Sequence, residues 1–192
     1  MLKTCNSIPR RKTPNDVFYT PVEVVKQMIE LSDITPDMKV LDPCKGSGRF
    51  YDNLPECNKD WCEITDNKDF FEYNDRVDLV IGNPPFSLWT KWLEHTIKIT
   101  DKFCYIMGSM NLTDVRLRML EEKGYGITKI HMVKIDWWFG HSLCIVVEKG
   151  AKSIITTAPK RVHCGDCGKR CSIGKGGNSP NICGLLQTQN TK

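Results

Sequence analysis

Val40-Leu41-Asp42-Pro43-Cys44-Lys45-Gly46-Ser47-Gly48 is the stretch that decides the fold. Lys39-Val40-Leu41 reads as a short strand, Asp42 ends it, and a glycine-rich turn leads into a brief helix that stops near Leu54, before Pro55. Glycines at 46 and 48 let the backbone approach a ligand closely, because no Cβ stands in the way. Fifteen residues after Gly48 comes Glu63, in the next predicted strand, Trp61 to Ile64. A carboxylate placed there can accept hydrogen bonds from ribose hydroxyls. Taken alone, the pair is weak, since such turns are common and a strand-end Glu is usually just solvated.

Outward from this stretch, helices and strands alternate over residues 13–150. Upstream, Thr20-Pro21-Val22-Glu23 has the form of a capping box with proline at the first helical position, and predicts a helix over 21–32. Downstream, Asp78 to Gly82 is a strand, residues 88–99 a helix with one apolar face, Phe103 to Met107 a strand and 113–123 a charged helix ended by Gly124. Ile127 to Ile135 and Leu143 to Glu148 close the series as a hairpin whose last strand runs antiparallel. This alternation predicts a mostly parallel sheet with helices on both faces.

The strand ending at Gly82 runs into Asn83-Pro84-Pro85-Phe86. Two prolines hold a rigid backbone that presents carbonyls and cannot donate. With the Asn83 side-chain oxygen, such a backbone can accept both hydrogens of one amino group, and Phe86 offers a ring for stacking. The set suits a planar substrate with an exocyclic –NH2; an ordinary Asn-Pro turn is the plain alternative if the tetrapeptide is read by itself.

These segments together resemble the N6-adenine DNA methyltransferases that use S-adenosylmethionine (SAM), of the EcoRI adenine-methylase type, in which a Thr-Pro segment leads the motif order. The resemblance covers about residues 16–149. Phe18-Tyr19-Thr20-Pro21 resembles the leading segment that holds the methionine part of SAM, and Asp42 to Gly48 the cofactor loop, with Asp42, Pro43, Gly46 and Gly48 as its contacts. Glu63 takes the place of the ribose-binding acid, Asp69-Phe70 that of the pair at the cofactor adenine, and Asn83, Pro84, Pro85 and Phe86 that of the catalytic motif, followed by Ser87-Leu88-Trp89 as in several such enzymes. The resemblance implies a Rossmann-like α/β methyltransferase domain over 16–150 with a mostly parallel sheet of seven strands, or an abbreviated form of it. Only 14 residues separate Glu63 from Asp78, so the helix and strand usual there are expected to be much shortened. In this reading the Trp137-Trp138-Phe139 turn holds a flipped target base, with hairpin packing as the plain alternative.

Charge and cysteine content mark the two ends. The chain has 192 residues and a net charge of +4, but 13–150 carries 16 basic and 22 acidic side chains. Residues 1–12 hold four basic side chains and no acidic one, and 151–192 hold seven basic and one acidic. A basic arm over 1–15 and a basic tail over 151–192 are expected to meet nucleic acid, DNA being favoured, with two solvated tails as the alternative. Four of the ten cysteines, Cys164, Cys167, Cys171 and Cys183, fall within 20 residues of the tail. Without a secretory signal a disulfide framework is not expected, and the four can bind one zinc ion as a small knuckle or stand as reduced thiols. Only 42 residues follow Gly150, too few for the large target-recognition domain of the family, so an accessory specificity partner is a further expectation. No apolar run approaches the ~18 residues that span a bilayer, so no membrane is expected, and the expected location is intracellular, cytoplasmic or nuclear. Beside adenine in DNA, adenine in RNA and a protein glutamine amide stay open as targets, as does a non-catalytic module that only holds nucleic acid.

Overall fold

The computed structural model describes residues 18–157 apart from Trp137 and Phe139. Two units are distinguished, 1–156 and 157–192, and the description below concerns the first. The basic arm and the four tail cysteines lie outside the described residues.

Four helices and six strands follow one another as α1 (Val22–Leu31), β1 (Lys39–Asp42), α2 (Arg49–Asn53), β2 (Asn58–Trp61), β3 (Leu79–Gly82), α3 (Trp89–Ile99), β4 (Lys102–Gly108), α4 (Asp114–Glu122), β5 (Tyr125–Val133) and β6 (Ser142–Lys149). The sheet order is β2-β1-β3-β4-β6-β5. β2, β1, β3 and β4 pair in parallel, and β6 inserts antiparallel between β4 and β5. Strand side chains alternate between two cores, as a period of two demands. Leu41, Val80, Phe103, Tyr105, Leu143, Ile145 and Val147 pack with Trp89, Trp92 and Leu93 of α3 and Leu117 and Leu120 of α4. Val40, Leu79, Ile81, Cys104, Ile106, Cys144 and Val146 pack with Val24, Val25 and Met28 of α1 and Phe50 of α2. The result is a three-layer α/β/α domain.

Among the described residues the sheet is mixed and has six strands: not seven mostly parallel ones, but the abbreviated form that the spacing allows. Between Trp61 and Leu79 the chain makes two single turns of 3₁₀ helix, Ile64–Asp66 and Phe70–Glu72, and one isolated bridge from Glu63 to Lys68. A parallel crossover takes a dozen or more residues including its helix, and the 14 residues available after Glu63 do not hold that and a strand. β2 is therefore a sheet edge. It also ends earlier than the sequence predicts, at Trp61, so Glu63 stands on the loop beyond it.

The strand order reverses between β1 and β3, the topological switch point where open α/β sheets form a crevice at the strands' carboxyl ends. Asp42 ends β1 and Gly82 ends β3, so the glycine-rich loop and the Asn-Pro-Pro-Phe segment both leave the sheet at that point. Among the described residues no helix is long and apolar enough to cross a membrane.

Candidate active site

A cavity of about 560 Å³ opens at the switch point. Its size falls within the ~300–1,000 Å³ of small-molecule and cofactor pockets. Five separate sequence segments meet on its wall: Phe18, Tyr19 and Thr20; Pro43 to Ser47; Glu63; Asp69 and Phe70; and Asn83 with Pro85.

The glycine-rich loop owes its path to two left-handed residues, Gly46 at φ +51° and Gly48 at φ +84°. Gly46 turns its N–H onto Glu63 Oε2 at 2.7 Å, which joins the loop to the acid across the cavity. Glu63 Oε1 also accepts from Thr65 N and Thr65 Oγ1, at 3.2 and 3.0 Å. Partial burial pushes the Glu63 carboxyl up, but the donors from Gly46, Thr65 and Ile64 outweigh it and hold the group below its usual range, ionised. Three of these donors lie at hydrogen-bond distance, Gly46 N, Thr65 N and Thr65 Oγ1; the hydroxyl is the one that can rotate away, which frees an accepting site on Oε1 for a ligand's hydroxyl.

Asp42 lies beneath this loop and is not part of the cavity lining. It is fully buried; Oδ1 accepts from Cys44 N at 3.2 Å and Oδ2 has no partner among the described residues. Burial pushes its carboxyl up to about 7. Asp42, expected as a direct cofactor contact, here bonds the backbone of the loop itself at Cys44. Pro21, Gly48, Pro84 and Phe86 are also absent from the lining.

Of the two uses expected of Thr20, helix cap and cofactor segment, the first is not realised. The capping box does not form, because Pro21 is the N-cap of α1 and no side chain caps the helix. Thr20 is instead 3% exposed on the cavity wall, and its buried hydroxyl has no partner among the described residues, whereas buried polar atoms are nearly always hydrogen-bonded.

Asn83 carries the sharpest geometry. Its Nδ2 donates to the Phe18 carbonyl at 2.6 Å, while Oδ1 is buried and has no partner among the described residues. A carbonyl can only accept, so the contact decides which way the amide faces. Of the carbonyls of Asn83, Pro84 and Pro85, that of Asn83 accepts from Cys44 Sγ at 3.2 Å and that of Pro85 from Leu88 N at 3.1 Å. Burial pushes the Cys44 thiol well up, so it stays protonated and donates.

The aromatic residues arrange differently from expectation. Phe86 is half-buried, its ring stacked on Phe18 at 6.2 Å and met edge-on by Trp89 and Trp138. Trp138 is 4% exposed and packs against Phe18 at 5.8 Å, so it supports the site from behind. Trp137 and Phe139 lie outside the described residues. Phe70 is buried and stacks on Trp92 at 4.5 Å, and Asp69 Oδ1 caps the turn below it by accepting from Phe71 N at 2.9 Å.

Sequence reasoning missed Ile64, Leu88 and Trp92. All three line the cavity, and Ile64 and Leu88 are 70% and 43% exposed. Apolar side chains so exposed on a concave wall suit the faces of a planar ring. Ile64 has only its position directly after Glu63 as a signal, Leu88 its place two residues after Phe86 in Ser87-Leu88-Trp89, and Trp92 its place on the apolar face of the 88–99 helix. Among the described residues no group of His, Cys, Asp or Glu is placed to hold a metal ion, and the tail cysteines proposed for zinc are outside that range.

A family model described as N-6 DNA methylase matches residues 10–61. No curated protein matches the chain. Among solved structures, a candidate RNA methyltransferase from Pyrococcus horikoshii is similar with a TM-score of 0.54 at 20% identity, over 72% of this chain and 90% of that one. Magnesium protoporphyrin IX methyltransferase from Synechocystis PCC 6803, solved with bound SAM, is similar with a TM-score of 0.54 at 13% identity, over 66% and 76% of the two chains. The modification subunit of a candidate type I restriction enzyme from Vibrio vulnificus YJ016 gives 0.54 at 16% identity, over 71% of this chain but only 45% of its own. At these identities the likeness shows the fold: a Rossmann-like α/β domain of the kind found in SAM-dependent methyltransferases.

Proposed function

We propose that the protein transfers a methyl group from SAM to the N6 amino group of adenine in DNA. The observation that carries the reading is Asn83: a buried amide oxygen without a partner among the described residues, oriented by a 2.6 Å bond from its own nitrogen, in a residue on the wall of the cavity. The N-6 DNA methylase match over 10–61 and the likeness to a restriction modification subunit support DNA as the substrate class.

The cavity's chemistry fits SAM. Glu63 is an ionised acceptor for the ribose, Ile64 and Leu88 are apolar faces for the adenine, and the Thr20 hydroxyl is an unused polar group for the methionine end. SAM supplies the methyl group on a sulfonium, already activated. The protein's task is to make a poor nucleophile act. The lone pair of an aromatic amine is delocalised into its ring. Asn83 Oδ1 and the Pro84 carbonyl accept its two hydrogens, which localises that lone pair, aims it, and stabilises the positive charge that builds on nitrogen. Both acceptors are neutral and fixed in advance, so no side chain must ionise first. The proton left on nitrogen passes to water after transfer. Placement supplies much of the remaining acceleration.

An adenine in a duplex must leave the stack to reach Asn83. We assign that contact to Phe86 and the Trp137-Trp138-Phe139 turn, with Trp138 as packing support. The basic ends and one zinc ion on Cys164, Cys167, Cys171 and Cys183 are the proposed means of holding the substrate, with an accessory specificity partner. The test is incubation of the full chain with isotope-labelled SAM and pools of DNA, RNA and protein, followed by mass spectrometry. Label on N6-methyladenine from DNA is the expected result; label confined to RNA or to glutamine assigns the same acceptor pair to a different –NH2.

A further inference from the structure

Residues Phe18 to Thr20 join three parts of the site. Arg49 Nη1, on the helix after the glycine-rich turn, donates to the Thr20 carbonyl at 2.9 Å. The Phe18 carbonyl accepts from Asn83 Nδ2 at 2.6 Å. The Phe18 ring lies nearly parallel to Phe86, with centroids 6.2 Å apart and planes at 15°, and takes Trp138 edge-on at 5.8 Å. The chain thus crosses from the cofactor loop to the Asn-Pro-Pro-Phe segment as a strap, fastened at both ends.

An asparagine amide can flip about its last torsion and exchange Oδ1 with Nδ2. In the flipped state two acceptors, Oδ1 and the Phe18 carbonyl, would face each other in a buried place, and a donor would face the substrate. Resting on the function proposed above, we propose that Phe18 is the positioning residue for the reaction: its carbonyl holds Asn83 in the one rotamer that presents an acceptor, and its ring keeps that carbonyl in place. This reassigns Phe18 from the methionine part of the cofactor to the catalytic amide. Phe86 then has a packing partner on one face, which leaves its position set before substrate arrives.

A backbone carbonyl cannot be deleted by substitution, so the ring is the handle. Phe18→Ala in the full chain is expected to return the Asn83 side-chain amide signals, identified in nitrogen-15 NMR by their loss in Asn83→Ala, toward the position and exchange rate of a free amide. Because Phe18 also lines the cavity, SAM affinity by calorimetry is expected to weaken, but by less than kcat at saturating SAM, which falls about tenfold to a hundredfold, the scale of a 1 Å misplacement in a reacting site. Phe18→Leu, which refills most of the space, recovers most of the turnover and the bonded amide signal. An unmoved amide signal, a wild-type kcat in Phe18→Ala, or a loss confined to SAM affinity overturns the assignment. If Phe18→Ala does not fold, Phe18→Val, which refills less of the space than leucine, decides: an amide signal moved part of the way toward that of a free amide supports the ring lock, and a signal and exchange rate identical to wild type overturn it. A wild-type chain that methylates no adenine refutes the proposed function but leaves the amide measurement able to judge the strap.

Discussion

Asp42 and Asn83 occupy matching places, each at or just beyond the end of a central strand and each with one buried oxygen that has no partner among the described residues. Their chemistry differs in one respect. Asp42 is a carboxylic acid whose burial pushes it up to about 7, so its charge depends on pH; Asn83 is an amide with no charge to lose. The acid bonds the backbone of the glycine-rich loop at Cys44, and the amide belongs to the cavity wall. The group assigned to the reacting nitrogen is thus the one whose accepting power is constant, and the titrating group is kept one layer away.

The largest effect expected from breaking this pair is at the amide. Asn83→Ala should lower kcat by about 10²–10³-fold, the scale of one preorganised hydrogen-bonding group, with SAM affinity by calorimetry nearly unchanged. A matching loss in kcat/KM places the interaction in the transition state.

Asp42→Asn should act on stability through pH. The folded-state value of about 7 lies above the ordinary 3.8, so the folded protein holds this proton more tightly than the unfolded chain does. Its favourable contribution is complete below about pH 4 and is lost as pH rises to about 7, at up to roughly 1.4 kcal/mol per pH unit. Denaturation midpoints measured from pH 4 to 8 should fall less steeply for the variant than for wild type. Parallel curves would place the ionised form of Asp42 in a solvated setting.

Glu63→Ala should weaken SAM binding by about 1–3 kcal/mol, the cost of truncating a charged hydrogen-bond acceptor. Calorimetry giving wild-type affinity would move the ribose contact elsewhere. Smaller still, Gly48→Ala should cost about 1–2 kcal/mol of folding stability for a left-handed residue with a side chain; φ is +84° there and the new Cβ would meet Asp52 Oδ2 at 2.6 Å, a carboxylate able to swing aside.

What the sequence made legible in these regions follows from how local each signal is. Val40-Leu41 and Leu79 to Ile81 are short apolar runs that only a buried central strand accommodates, and the motifs at their ends could be placed at the switch point from order alone. The lost strand was visible as a spacing of 14 residues, though not what replaces it. Thr20 carries two signals, the form of a cap in Thr-Pro-x-Glu and a place in the segment that resembles a cofactor-holding one; the cap does not form, and the threonine lies on the cavity wall. The Phe18–Asn83 bond joins residues 65 apart and is set by tertiary packing alone. Glu63 was assigned to a strand because Trp61 to Ile64 is apolar enough, yet its bonds to Gly46 and Thr65 pull it onto the loop.

The central claim is that Asn83 Oδ1 accepts hydrogen bonds from an adenine N6 during methyl transfer. Its most direct test is mass spectrometry of nucleosides digested from DNA after incubation with SAM carrying a deuterated methyl group, for wild type and Asn83→Ala side by side, each at saturating SAM. The account predicts labelled N6-methyladenine from the wild-type chain and almost none from the variant, although both bind SAM. Equal label from both proteins, or label on any other base, would contradict it.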